Sequence, residues 1–221
     1  MRMRRKKRLD ERVLACVGLF IDFEIENFNT AAGVTVGKSF DCEEIFGNSN
    51  PVHLEIGCGK GQFVLEAAKR HPNINFVAVE KLKNVIVEAA EKVMAEKIEN
   101  VRFINCPAEY LNGFFHEKEI ERLYLNFSCP YPKKSYAKHR LTHESFLKIY
   151  RKILCDSGEI HMKTDNQELF EFSLNSFSAF GFRLKGITHD LHNSGFEGNI
   201  VTEYEQKFTD AGLPIYRVEA Y

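Results

Sequence analysis

Five residues within 26 positions could do chemistry together: Glu55, Gly57, Gly59, Gly61 and Glu80. The glycines close the run His53-Leu-Glu-Ile-Gly-Cys-Gly-Lys-Gly61, between a strand pattern at 52–56 and a helical pattern. Glycine there permits a tight turn and lets a ligand approach the backbone. The helix that follows adds unpaired N–H groups and a positive dipole end. The spacing G-x-G-x-G is one residue tighter than the dinucleotide fingerprint G-x-G-x-x-G. A carboxylate such as Glu55 would repel a pyrophosphate, whereas it attracts an ammonium and a nearby sulfonium. Glu80, ending the next strand, has the position from which an acid accepts two ribose hydroxyls. S-adenosylmethionine therefore fits better than NAD. The loop after the third strand, Asn105-Cys-Pro-Ala-Glu109, lies where such folds contact an adenine, and Asn105 could supply a polar contact there; the same pattern reads equally as a strand-to-helix turn containing Pro107.

A second group follows the fourth strand. Leu125-Asn-Phe-Ser-Cys-Pro-Tyr-Pro-Lys-Lys134 combines two stiffening prolines, an aromatic face at Tyr131 and the start of a basic run, Lys133, Lys134, Lys138, His139 and Arg140. In open α/β sheets this strand edge is where ligands bind. A rigid loop with an aromatic and cations suits a nucleic acid, stacking a base and neutralising phosphates. A basic N-terminal arm, Arg2, Arg4, Arg5, Lys6, Lys7 and Arg8, can serve the same end or be a solvated tail.

The elements that must position these groups follow from periodicity. Strands are expected at 52–56, 75–80, 101–105, 122–127 and 158–163. Helices are expected at 61–71, 83–97, 142–154 (Thr142 as N-cap) and 166–180. Two last strands, 182–190 and 214–220, follow one another without a helical pattern between them and read as an antiparallel pair. Alternation of strand and helix predicts an α/β fold with a sheet covered on both faces, and the glycine turn with its two acids makes it a Rossmann-like fold of the class I methyltransferase type. Its sheet is mixed, mostly parallel and seven-stranded, with helices on both faces. Residues 1–50 show no clean period. They are expected to be a basic arm and extension before a methyltransferase domain at 51–221, with a helical turn at 41–46 and turn formers at 27–37.

Composition bounds the function classes. The 221 residues suit one α/β domain, and a net charge of −1 excludes a general polycation. No run of eighteen apolar residues and no signal peptide are found, so a cytoplasmic protein without a membrane span is expected. The six cysteines include no C-x-x-C pair and no zinc-ligand spacing with histidine. Free thiols in a reducing compartment and no metal are expected.

The chain resembles the bacterial tRNA (guanine-N7-)-methyltransferase family. The likeness runs through Met1–Lys6, Phe46–Pro51, His53–Phe63, Phe127–Lys133, His161-Met-Lys-Thr-Asp-Asn166 and Val201-Thr-Glu-Tyr-Glu-Gln-Lys-Phe208. It implies methyl transfer from S-adenosylmethionine to N7 of guanine 46 in the tRNA variable loop, by a monomer or homodimer. Glu55 and Glu80 would contact the cofactor, with Gly57, Gly59, Gly61, Asn105, Pro107 and Cys129 beside them. Lys133, Asp165, Thr202, Glu203, Tyr204 and Glu205 would contact the tRNA. The family's loop reads F-S-D-P-W-P-K. Here Cys129 replaces the acid at the position described as catalytic, Tyr131 replaces the tryptophan, and Pro107 stands where the family has another acid.

N7 of guanine has an exposed lone pair, so no proton must leave and no general base is obligatory. Alignment and water exclusion are needed. Asp165 or Glu205 could accept from the N1–H and N2–H of guanine. Covalent catalysis by Cys129 suits a pyrimidine carbon rather than N7. Two other readings stand beside the first: a tRNA-binding homologue weakened or silenced by these replacements, and a small-molecule methyltransferase.

Overall fold

The structure is a computed structural model. It describes residues 6–23, 25–29, 33–36 and 39–221, with 25–29 and 33–36 described as backbone only. Arg2, Arg4 and Arg5 of the expected basic arm lie outside the described residues. The chain divides into two compact units, Met1–Phe114 and Phe115–Tyr221. Seven strands form a mixed sheet, three in the first unit and four in the second.

The first unit opens with helix α1 (Leu9–Ala15), then a hairpin of β1 (Ile25–Asn29) and β2 (Gly33–Val36), then helix α2 (Cys42–Phe46). The turn-rich segment 27–37 is thus largely strand, a correction to its reading as turns. The expected turn at 41–46 is α2, with the Asp41 side chain accepting from the Glu44 N–H as its cap. Strands β3 (Val52–Ile56), β4 (Asn75–Val79) and β5 (Val101–Ile104) are parallel, in the order β5-β4-β3. All five residues of β3 and of β4 are buried, as befits strands covered on both faces. Helices α3 (Gln62–Arg70) and α4 (Lys83–Ala95) make the crossovers. They bury Val64, Ala67, Ile86, Val87 and Ala90 against a core with Leu54, Phe76, Val77 and Phe103.

Helix α1 is held to α4 by charge. Arg12 donates twice to Glu91 at 2.6 Å, Lys83 pairs with Asp10, and Lys6 pairs with Glu88. Two of the arm's cations, Lys6 and Arg8, therefore already have acidic neighbours, Glu88 and Glu11.

The second unit holds β6 (Ile120–Asn126), α5 (Glu144–Ile153), β7 (Leu154–Thr164), α6 (Gln167–Ala179), β8 (Leu184–Thr188), α7 (Glu203–Asp210) and β9 (Tyr216–Ala220). β6 and β7 are parallel; β9 is antiparallel to both β7 and β8, giving the order β6-β7-β9-β8. The last two strands are an antiparallel pair, as expected, but α7 lies between them. The signal was present: Thr202-x-x-Glu205 forms a complete capping box at the N-terminus of α7. Thr142 does not cap α5. His143 does, and the Thr142 hydroxyl is buried against the Ser173 hydroxyl at 2.8 Å. Among the described residues no helix is long and apolar enough to cross a membrane.

Gly61 caps α3 in the left-handed region, at φ 76°. A Cβ there would lie 2.5 Å from the Cβ of Ala89 on α4. Gly61→Ala should therefore lower stability by about 1–3 kcal/mol, the usual range for overpacking; urea unfolding with an unchanged midpoint would contradict this close approach.

Candidate active site

In the first unit the turn after β3 is pinned to the end of β4. The N–H groups of Gly57 and Cys58 both donate to the Val79 carbonyl, at 2.8 and 3.1 Å. Gly57, Gly59 and Gly61 all have positive φ, which only glycine adopts without strain. A Cβ at Gly57 or Gly59 would meet no protein atom within 4 Å, so protein packing does not demand glycine there. The turn is a cradle that side chains would fill.

The two acids flank this cradle. Glu55 is 2% exposed at the penultimate position of β3. Glu80, half-buried just past β4, accepts from the Gly59 N–H at 3.3 Å and the Leu82 N–H at 2.9 Å. Asn105 donates from its side chain to the Glu80 carbonyl at 2.7 Å, tying the end of β5 to this corner. Pro107 precedes a short 3-10 helix, Ala108–Gly113. Glu55, Gly57, Gly59, Gly61, Glu80 and Asn105 thus gather at the carboxyl ends of β3, β4 and β5. The residues fit a cation-bearing nucleoside cofactor.

Burial, reinforced by the carboxylates of Glu55 and Glu80, pushes the Cys58 thiol well above its ordinary range. Burial, with Glu109, pushes Cys106 up to about 12. Both thiols stay neutral, while Cys129 is exposed.

In the second unit, Phe127 and Tyr131 bracket the loop after β6, with φ of 51° and 42°. Neither is glycine, and such backbone costs on the order of 1–3 kcal/mol each and persists only where its surroundings impose it. Cys129 and Lys133 are exposed in this loop, and Asp165, half-buried, follows β7. Tyr204 is exposed, its ring 6.2 Å from Phe127 and 5.8 Å from Phe208, and Lys207 sits over it at 5.5 Å. Phe127 and Phe208 were not singled out by sequence; a lone phenylalanine gives no such signal.

Lys163, on β7 beside this loop, is also new. Its buried ammonium donates to the Asn199 side chain (3.0 Å), the Ile200 carbonyl (2.6 Å) and Glu205 (2.5 Å). Glu205 is fully buried. Its other oxygen accepts from Asn199 at 2.6 Å and lies 3.1 Å from His192 Nε2. Both Glu205 oxygens are therefore engaged within the protein. Its carboxylate is spent inside the protein, fixing the segment that carries Thr202, Glu203 and Tyr204. Thr202 itself is buried as the helix cap, whereas Glu203 and Tyr204 face solvent.

Sequence spacing scatters the histidines, yet ligand atoms of Glu159, His161 and Glu219 lie within 4.8 Å of one another. Lys185 pairs with both carboxylates, Arg217 with Glu219, and Arg122 approaches Glu159 at 3.6 Å. Burial alone would raise the Glu159 pKa; hydrogen bonds from His161 and Lys185 more than offset it and hold the carboxyl at about 2. Burial, aided by the charge of Arg122, lowers the pKa of His161. With three cations in place, the cluster reads as an ion-pair network across β6, β7, β8 and β9.

The fold and the glycine corner define an α/β methyltransferase. A model of the family described as "Putative methyltransferase" matches residues 49–218. Solved structures share the fold. A 16S rRNA methyltransferase, KamB, has a TM-score of 0.60 at 14% identity, covering 84% of this chain and 94% of that one. An antibiotic-related methyltransferase has a TM-score of 0.58 at 16% identity, covering 83% and 95%. A curated relative from Geobacillus sp. (strain WCH70), a tRNA (guanine-N(7)-)-methyltransferase, is 53% identical over 176 residues, 80% of each chain. The chain belongs to the tRNA (guanine-N7-)-methyltransferase family.

Two outcomes check this geometry. Glu205→Ala would strand the buried Lys163 ammonium and should cost about 3–5 kcal/mol of stability by urea or thermal unfolding. Iodoacetamide on the native protein, read by peptide mass spectrometry, should label Cys129 well before Cys58 or Cys106; equal rates would contradict the burial of those two thiols.

Proposed function

We propose that this chain methylates N7 of guanine 46 in the tRNA variable loop, acting in the cytoplasm as a monomer or homodimer. The observation that carries the reading is the glycine corner with its two acids, in a chain of this family. Residues 51–221 would be the methyltransferase domain and residues 1–50 its basic arm and extension. When bound, S-adenosylmethionine supplies an electrophilic methyl group on a sulfonium. Glu55 would attract the cationic methionine end. The turn at Gly57, Gly59 and Gly61 would admit the cofactor against the backbone, and Glu80 would accept from the ribose hydroxyls. Asn105 would hold the Glu80 corner in place, and Pro107 would line the adenine side.

On the tRNA side, Lys133 would meet a phosphate, and Asp165 would accept from the N1–H and N2–H of guanine. Tyr204 would offer a stacking face beside Thr202 and Glu203. The nucleophile is the N7 lone pair, so the reaction needs no base. The chain's part is to orient the ring and to stabilise the cation that forms. Cys129, at the family's acid position, carries no charge for that second task when protonated. Its replacement of the acid would cost rate without removing the reaction.

Labelled S-adenosylmethionine and an unmodified tRNA transcript should yield one labelled N7-methylguanine, mapped to position 46. Tight tRNA binding with no transfer would instead mark a binding homologue. Glu80→Ala should weaken S-adenosylmethionine binding roughly tenfold to a hundredfold by calorimetry, the loss of one to two charged hydrogen bonds; an unchanged affinity would remove Glu80 from the cofactor site.

A further inference from the structure

Arg140 stands apart from the basic run to which it belongs. Lys133, Lys134, Lys138 and His139 are exposed, but Arg140 is 4% exposed. Its Nε donates to the Pro130 carbonyl at 2.9 Å, and its Nη2 donates to the Tyr131 carbonyl at 3.1 Å. Nη2 also reaches Glu168 at 3.0 Å, and the guanidinium lies 4.5 Å over the ring of Phe172. Glu168 and Phe172 are four residues apart on α6, so they share one face of that helix.

We propose that Arg140 is a positioning residue for methyl transfer, its guanidinium clamping the strained proline loop to α6 so that Cys129, Tyr131 and Lys133 are held for the tRNA. The proposal rests on the function proposed above. Two observations besides the hydrogen bonds support it. Phe127 and Tyr131 sit in left-handed backbone that their side chains disfavour, and such strain persists only where surroundings impose it. Ser128 Oγ is buried with no hydrogen-bond partner among the described residues, so its hydroxyl does not select this conformation; the Phe127 N–H, bonded to the Lys163 carbonyl at 2.9 Å, fixes only the start of the loop. One planar fork that captures two successive carbonyls supplies what the loop lacks. A lysine cannot do the same, because an ammonium is a point charge on a flexible stem.

Three alternatives give different readouts on the full-length protein. For the clamp, Arg140→Lys should lower kcat at saturating tRNA by about tenfold to a hundredfold, the scale of a misplacement near 1 Å. The S-adenosylmethionine Kd should stay at its wild-type value, and any weakening of the tRNA Kd should be smaller than the loss of kcat. Amide hydrogen exchange across residues 128–133 should accelerate. Glu168→Gln, which leaves both carbonyl bonds, should shift kcat and exchange in the same direction by less. A weaker tRNA Kd, with the salt slope reduced by about one and kcat preserved, would make Arg140 a phosphate ligand and overturn the clamp. A lower melting temperature with wild-type kcat per folded molecule and wild-type loop exchange would make it a general stabiliser, and overturns it equally. If the wild type transfers no methyl group, the functional reading fails, and the exchange rates alone still decide whether Arg140 holds the loop.

Discussion

The turn after β3 depends on one acceptor, the carbonyl of Val79 at the end of β4. A parallel strand that ends beside its neighbour leaves carbonyls to be satisfied, and here the N–H groups of Gly57 and Cys58 take this one. That choice forces the backbone through three left-handed glycines. It also brings Gly61 against Ala89, so the start of α3 and the body of α4 are set by the same turn. Glu80 closes the corner by accepting from Gly59, and Asn105 secures Glu80. The two acids' corner and the packing of α3 on α4 therefore share one set of hydrogen bonds.

The second unit shows the complementary use of charge. Lys163 and Glu205 form a buried pair whose remaining hydrogen-bonding capacity is met by Asn199, Ile200 and the neighbourhood of His192. Arg140 is likewise turned inward. Such groups are costly to bury and are retained only with good partners. Each of them ties a loop that has no regular structure of its own to a strand or helix that has. The exposed cations Lys133, Lys134 and Lys138 are left for solvent or for an anionic partner.

By itself the sequence determined the alternation of strands and helices, the glycine turn and its two acids, and the antiparallel pair of last strands, because periodicity, glycine spacing and strand ends are local properties. The helix at Leu9–Ala15, the hairpin at 25–36 and the helix at Glu203–Asp210 were not read, although the capping box of the last was in plain view. Short amphipathic elements carry little period, and contacts decide them. Which charges face outward was settled only by tertiary structure. Arg140 and Lys138, or Glu205 and Glu203, look alike along the chain. Burial and partners lie in residues 28 or 42 positions away, Glu168 for Arg140 and Lys163 for Glu205. No local pattern encodes a pairing at that distance, so which of these charges is turned inward and which is left exposed was decided in three dimensions.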